Sequence, residues 1–200
     1  MVRKKLSEAI EVLQNGSIVV YPTDTLYALG VNIYNENAVR KVFNVKKRPL
    51  DVPLPVAVAN FTEMKRIAFV NNNARVLAKH FLPGSLTLVL NKKNIVPDIV
   101  TGGLNKIAVR IPNNTIALEL IVNSGPLTIT SANIHGKKTL GNIKDISMQL
   151  RDDDVAVYLD YGILQGKPST IIDVSSKEPE IIREGSIKKH DVLAVIKTYG

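Results

Sequence analysis

Ile18-Val19-Val20-Tyr21-Pro22-Thr23-Asp24-Thr25-Leu26-Tyr27-Ala28-Leu29-Gly30 is the stretch on which the reading of this chain turns. Its opening apolar, β-branched run predicts a buried strand. Pro22 ends that strand, because proline cannot donate to a strand ladder. Two threonines and an aspartate follow within three positions. Hydroxyls and a carboxylate at a strand end suit the grip on a small polar ligand. The same three residues also suit a turn that satisfies its own backbone.

Working outward, apolar spacing predicts helices over 6–13, 35–43, 62–69, 73–81, 115–122, 143–150 and 192–196. Strands are predicted over 54–59, 85–90, 107–111, 127–130, 155–159, 170–174 and 180–183. Several strands are continuous apolar runs, as expected where helices cover both faces of a sheet. Some links are too short for a parallel crossover. The expectation is therefore an α/β domain around a twisted, mixed sheet. With 200 residues, no repeat and no linker-like composition shift, a single domain over 1–200 is expected.

Composition narrows the chemistry. There are no cysteines, which excludes disulfides, thiol catalysis and cysteine-ligated metal centres. The 26 Lys and Arg against 18 Asp and Glu leave a net charge of +8, which favours polyanionic partners such as nucleotides, pyrophosphate or RNA. Aromatic residues are only 5%, thin for base-stacking platforms. No apolar run is long enough to span a membrane, and the basic N-terminus lacks a signal-peptide core. A cytoplasmic location without membrane association is expected.

The remaining candidates are polar residues at strand and helix ends. Lys46 and Arg48 flank Lys47 and, in an extended segment, would point the same way and share one anion. Cations also favour helix C-termini for purely structural reasons. Arg110 interrupts an apolar strand, so a structural carboxylate or an anionic ligand must pair with it. Ser131 and Asn133 follow a short strand and suit either ligand contact or a cap. Gly166-Lys167-Pro168-Ser169-Thr170 departs from the phosphate-loop pattern, which needs Lys directly before Ser/Thr in a strand-loop-helix setting. His80, His135 and His190 show no metal-ligand spacing. Chemistry at such a site rests on positioning and positive charge, with no side chain assigned as general base and no protein metal site.

Together, seven segments resemble the YrdC/Sua5 family of threonylcarbamoyl-AMP synthases. They are Tyr-Pro-Thr-Asp-Thr-Leu-Tyr-Ala-Leu-Gly, Lys-Lys-Arg-Pro, Pro-Gly-Ser-Leu-Thr-Leu-Val-Leu, Ala-Val-Arg-Ile-Pro, Thr-Ser-Ala-Asn, Pro-Ser-Thr-Ile-Ile-Asp and Ile-Ile-Arg-Glu-Gly-Ser-Ile. They stand in the family's order over nearly the whole chain. The resemblance implies a three-layer α/β fold with a basic concave face. It implies a nucleotidyltransferase that joins L-threonine, bicarbonate and ATP into threonylcarbamoyl-adenylate, releasing pyrophosphate. Mg²⁺ would ride on the ATP phosphates. Partner proteins would then move the threonylcarbamoyl group to an adenosine beside the tRNA anticodon, and direct tRNA contact stays open.

The same resemblance assigns residues. Thr23, Thr25, Arg110 and Ser169 would hold L-threonine, with Arg110 on its carboxylate. Lys46, Arg48, Ser131 and Asn133 would form a tetrad toward the nucleotide. Thr139 and Arg183 would contact ATP, and Lys106 stands where relatives often place a threonine near ATP. Val52 and Ala57 replace a common Asn and His, Ala28 a glycine and Ser85 a proline. The chain resembles the family's short form, without the C-terminal domain of longer relatives. Two other readings carry the basic face: a carbamoyl-adenylate-forming relative, and a non-catalytic tRNA-binding module.

Overall fold

The computed structural model describes residues 2–150 and 155–199. In chain order the elements are α1 (Val2–Gln14), β1 (Ile18–Pro22), β2 (Tyr27–Gly30), α2 (Glu36–Lys46), β3 (Val56–Ala57), α3 (Phe61–Ile67), β4 (Ala68–Phe69), α4 (Asn72–Phe81) and β5 (Leu86–Lys92). A 3₁₀ turn (Asp98–Thr101) leads to β6 (Lys106–Arg110), α5 (Thr115–Ser124), β7 (Leu127–Thr128), β8 (Thr130–Ser131), α6 (Ile143–Leu150), β9 (Val155–Tyr158), β10 (Thr170–Asp173), β11 (Glu180–Arg183) and α7 (Lys189–Tyr199).

The mixed pairing expected from sequence is divided between two sheets. One runs β8-β2-β1-β9; the other runs β11-β10-β5-β6-β3-β7, with β4 on β5. Parallel pairs (β1 with β9, β5 with β10, β3 with β6) stand beside antiparallel ones in both sheets. The strand that ends at Pro22 turns back on β2 as a hairpin, with Val19 opposite Gly30 and Pro22 opposite Tyr27. Period-two alternation explains its burial. Ile18 and Val20 face the larger core, whereas Val19 and Tyr21 face a smaller one built with Leu6, Ala9 and Leu13 of α1 and Ile116, Leu120 and Ile121 of α5.

Asparagines start five helices, among them α6, where Asn142 Oδ1 accepts from Asp145 N at 2.9 Å. The side chains of Asn35, Asn60, Asn71 and Asn114 accept from the backbone N–H of Ala38, Glu63, Ala74 and Ala117. Each satisfies a donor that the first helical turn leaves unpaired.

Two predicted strands differ in extent. Over 54–59 only Val56–Ala57 pairs as a strand, because Pro53 and Pro55 lack N–H donors. Its flanks bond elsewhere: Leu54 N donates to the Val100 carbonyl and Val58 N to that of Arg110. The 127–130 strand is two pieces. Thr128 pairs with Val56 in the larger sheet, and Thr130 with Leu29 in the smaller one, so the chain changes sheets at Ile129. The predicted 62–69 helix ends at Ile67, and Ala68–Phe69 pairs antiparallel with β5.

The sheet change is fastened by polar groups. The buried Tyr21 hydroxyl donates to the Thr128 carbonyl at 2.9 Å. Thr128 Oγ1 donates to the Leu29 carbonyl at 2.9 Å and accepts from Val31 N at 3.2 Å. Removing the Tyr21 hydroxyl leaves a buried carbonyl short of a donor. Tyr21→Phe should lower stability by about 1 kcal/mol, read as a lower urea midpoint at unchanged slope; an unaltered midpoint would remove this bond from the account.

Candidate functional site

Strand alternation builds the floor of a cavity of about 350 Å³. On β5, Leu86, Leu88 and Leu90 enter the core, which turns Thr87 and Val89 to the cavity. On β6, Ile107 and Val109 enter the core and Ala108 and Arg110 line the cavity. On β10, Ile172 faces inward and Ile171 outward, with Ser169 just ahead of the strand. These strands therefore have one face on the core and one on the cavity, instead of helices on both faces. The β1–β2 hairpin and β8 form the opposite wall.

At the hairpin tip both readings of Thr-Asp-Thr apply, one per residue. Thr23 serves the turn: its Oγ1 donates to the Leu26 carbonyl at 2.6 Å and accepts from Thr25 N and Leu26 N, both at 3.1 Å. Thr25 faces Arg110, whose Nη1 donates to Thr25 Oγ1 at 3.0 Å. Thr25 Oγ1 also lies 3.0 Å from Thr23 Oγ1. Asp24 is the carboxylate the sequence left open, with Oδ1 2.8 Å from Arg110 Nη2. That nitrogen is buried and off the line of a hydrogen bond, so the contact is ionic.

Arg110 Nε donates to the Gly84 carbonyl at 2.9 Å. Burial pushes the Arg110 guanidinium below its ordinary range and Asp24 pulls it back. Of the two partners the sequence left open for Arg110, the structural carboxylate is therefore present.

The basic knot is not extended, so Lys46 and Arg48 do not share a direction in the way a strand would impose. Lys46 is the last residue of α2, and Lys47 takes a left-handed conformation, φ 50°. Lys46 is 1% exposed. Its Nζ donates to the Ser131 and Asn133 carbonyls at 2.5 and 2.7 Å and to Asn133 Oδ1 at 3.3 Å. Ser131 Oγ donates to the same Asn133 Oδ1 at 2.6 Å. Lys46 thus ties the Ser-Ala-Asn loop to the end of α2. Burial, then the Arg48 charge, push its ammonium down to about 7.

Arg48 lines the cavity and is fixed from behind. It donates from Nε to the Val52 carbonyl at 3.1 Å, from Nη2 to the Pro53 carbonyl at 2.8 Å and from Nη1 to His135 Nδ1 at 3.2 Å. Position 52 therefore serves through its backbone, which any side chain there supplies.

On the third side, Ser169 Oγ lies 2.8 Å from Thr87 Oγ1. Arg183 donates to the Ser169 carbonyl from Nε at 3.2 Å and Nη2 at 2.8 Å. Burial first, then the Arg110 charge, lower the Arg183 guanidinium. Two glycines permit this packing. A Cβ at Gly166 would collide with the Thr25 carbonyl, and one at Gly185 with the Pro168 carbonyl.

One cavity thus gathers Thr23, Thr25, Arg48, Arg110, Ser131, Thr139, Ser169 and Arg183. Lys46 and Asn133 stand behind Ser131 rather than on the wall. Lys106 is off the wall too, ion-paired with Asp173 at 2.8 Å. Sequence reasoning missed Thr87 and Tyr27. Thr87 was detectable as a hydroxyl alternating with leucines; Tyr27 carried no signal, because its role depends on Gly162, whose carbonyl accepts its hydroxyl proton at 2.7 Å. Among the described residues no group of three His, Asp or Glu side chains could hold a metal. The cavity presents cations and hydroxyls, a donor set for anions.

The Sua5/YciO/YrdC family model, described as "Telomere recombination", matches residues 11–185. The chain is 43% identical over 192 residues to a Methanocaldococcus jannaschii protein carrying the provisional name threonylcarbamoyl-AMP synthase, covering 92% of this chain and 88% of that one. It is 37% identical over 195 residues to the Pyrococcus abyssi threonylcarbamoyl-AMP synthase, covering 96% of this chain and 57% of that one. A crystal structure of P. abyssi Sua5 complexed with L-threonine superimposes with a TM-score of 0.92 at 37% identity, over 98% of this chain and 58% of that one. The chain thus spans little more than half the length of the P. abyssi protein.

The Lys46 latch has a pH signature. Its folded pKa, about 7, lies below the ordinary lysine value of 10.5. The unfolded chain then binds more protons between those values, so stability rises with pH there. The penalty of the buried charge is full below pH 7 and is relieved above it. Between pH 6.5 and 9, the thermal midpoint of Lys46→Met should rise less than that of the unsubstituted protein; parallel profiles would show that Lys46 does not titrate in this window.

Proposed function

Because the chain belongs to the Sua5/YciO/YrdC family, we propose that it makes L-threonylcarbamoyladenylate from L-threonine, bicarbonate and ATP. The observation that carries this reading is the convergence of Arg48, Arg110 and Arg183 with the hydroxyls of Thr25, Ser131 and Ser169 around one cavity. The relatives named for this synthase, and the P. abyssi structure titled with L-threonine, support it.

The threonine carboxylate takes the Thr25–Arg110 corner. Its affinity there reflects competition with Asp24, which orients Arg110. Ser169, pinned by Thr87 and Arg183, faces the amino acid from the other side, and Thr23 holds the turn that aims Thr25. The threonine amine adds to bicarbonate, losing water, and becomes a carbamate. A carbamate oxygen then bonds to the α-phosphorus of ATP, and pyrophosphate leaves with the electron pair of the broken P–O bond.

Two anions must approach one another in this step. Arg48 and Arg183, already oriented by backbone carbonyls, offset that repulsion without reorganising. Ser131 and Thr139 complete the nucleotide wall, and Lys46 and Asn133 keep Ser131 in place. Lys106 joins only where a phosphate displaces it from Asp173. Magnesium suits a triphosphate, and the described residues offer it no cage, so the ion would enter on phosphate oxygens. The adenylate would pass to tRNA threonylcarbamoyl-transfer proteins in the cytoplasm. No helix of the described residues is long and apolar enough to cross a membrane.

Pyrophosphate release from ATP should require threonine and bicarbonate together, with the adenylate detected by mass. Arg48→Ala should reduce that rate on the order of 10²-fold while circular dichroism stays native. Wild-type rates in Arg48→Ala would remove Arg48 from the chemistry. Salt-sensitive RNA binding indifferent to threonine, with no pyrophosphate released, would overturn the enzyme reading in favour of an RNA-binding module.

A further inference from the structure

A second cavity, of about 310 Å³, lies outside this site. Its walls are Ala59, Phe61, Ala78, Leu82, Pro83 and Ile111, all apolar. Its rim is not apolar. Arg75 and Lys79, one turn apart on α4, line it and are both exposed. Among the described residues neither forms an ion pair, and no carboxylate lines the cavity. Asn60 stands on the rim as well. Its Oδ1 is taken by Glu63 N, which leaves the amide nitrogen as a further donor.

An apolar pocket of this size with a few convergent polar groups has the character of a small-molecule site. The two unpartnered cations set the sign of the ligand's polar end. We propose that this cavity binds an amphiphilic carboxylate, its alkyl or aromatic body among the apolar walls and its carboxylate on Arg75 and Lys79. A guanidinium fork matches a carboxylate in both charge and geometry.

The cavity also adjoins the first site through the backbone. Pro83 precedes Gly84, whose N–H donates to the Ile111 carbonyl and whose carbonyl holds Arg110 Nε, each at 2.9 Å. Ile111 directly follows Arg110. The wall of the second cavity therefore runs directly into the segment that orients Arg110.

Titration of the ¹⁵N-labelled full chain with octanoate, against 1-octanol as the uncharged analogue, tests this. Octanoate should shift the amide resonances of Ala59, Ala78, Leu82 and Ile111 saturably. The double variant Arg75→Ala/Lys79→Ala should weaken octanoate by about tenfold or more, the loss of one or two charge-assisted hydrogen bonds, and leave octanol affinity and pyrophosphate release unchanged. Filling the cavity with Ala78→Met should weaken both ligands, with unfolding monitored in parallel. Shifts confined to the first cavity, equal affinity for acid and alcohol, or concentration-dependent shifts without ligand, which would mark a second copy on this face, would each overturn the proposal. Apart from the pyrophosphate control, none of these outcomes depends on which reaction the first cavity performs.

Discussion

The guanidinium of Arg110 is the constraint around which this molecule is arranged. A charge that is 4% exposed must be paired and hydrogen-bonded, or its desolvation opposes folding. Asp24 and Thr25 meet it from the hairpin tip, and Gly84 meets it from the segment between α4 and β5. Two chain segments distant in sequence therefore stay in register with β6. The same arrangement leaves the hairpin facing the cavity floor, so stabilising the charge and forming the site are one structural event.

The other cations follow related logic with different partners. Lys46, Arg48 and Arg183 are held mainly by backbone carbonyls rather than by carboxylates. A carbonyl dipole orients a cation without cancelling its charge. Arg48 and Arg183 therefore remain positive toward the cavity while their geometry is settled in advance. Lys46 is spent on the interior, where it draws the Ser131–Asn133 loop against the end of α2. Lys106 differs again, since Asp173 does neutralise it.

Much of this was legible in the residues themselves. The spacing of Ala74, Leu77, Ala78 and Phe81 places α4, and the apolar run from Ile18 places β1, because burial of one face or of alternate residues has a sequence period. The need of Arg110 for a partner was equally legible, because an arginine in an apolar strand has few alternatives. The direction of the Lys46–Arg48 pair was not. It depends on where α2 stops, and the left-handed turn at Lys47 follows from capping and tertiary contacts rather than from local preference.

The residues by themselves determined the α/β class, a cation-rich and hydroxyl-rich set of strand ends, and an anion-binding character, because periodicity and charge are properties of the chain. Tertiary structure alone decided that Leu127–Ser131 serves two sheets, that Asp24 pairs with Arg110, and that one face of β5, β6 and β10 opens on a cavity. The reason is physical: each depends on which segments meet across more than fifty intervening residues, and a local pattern carries no information about the group that will stand opposite.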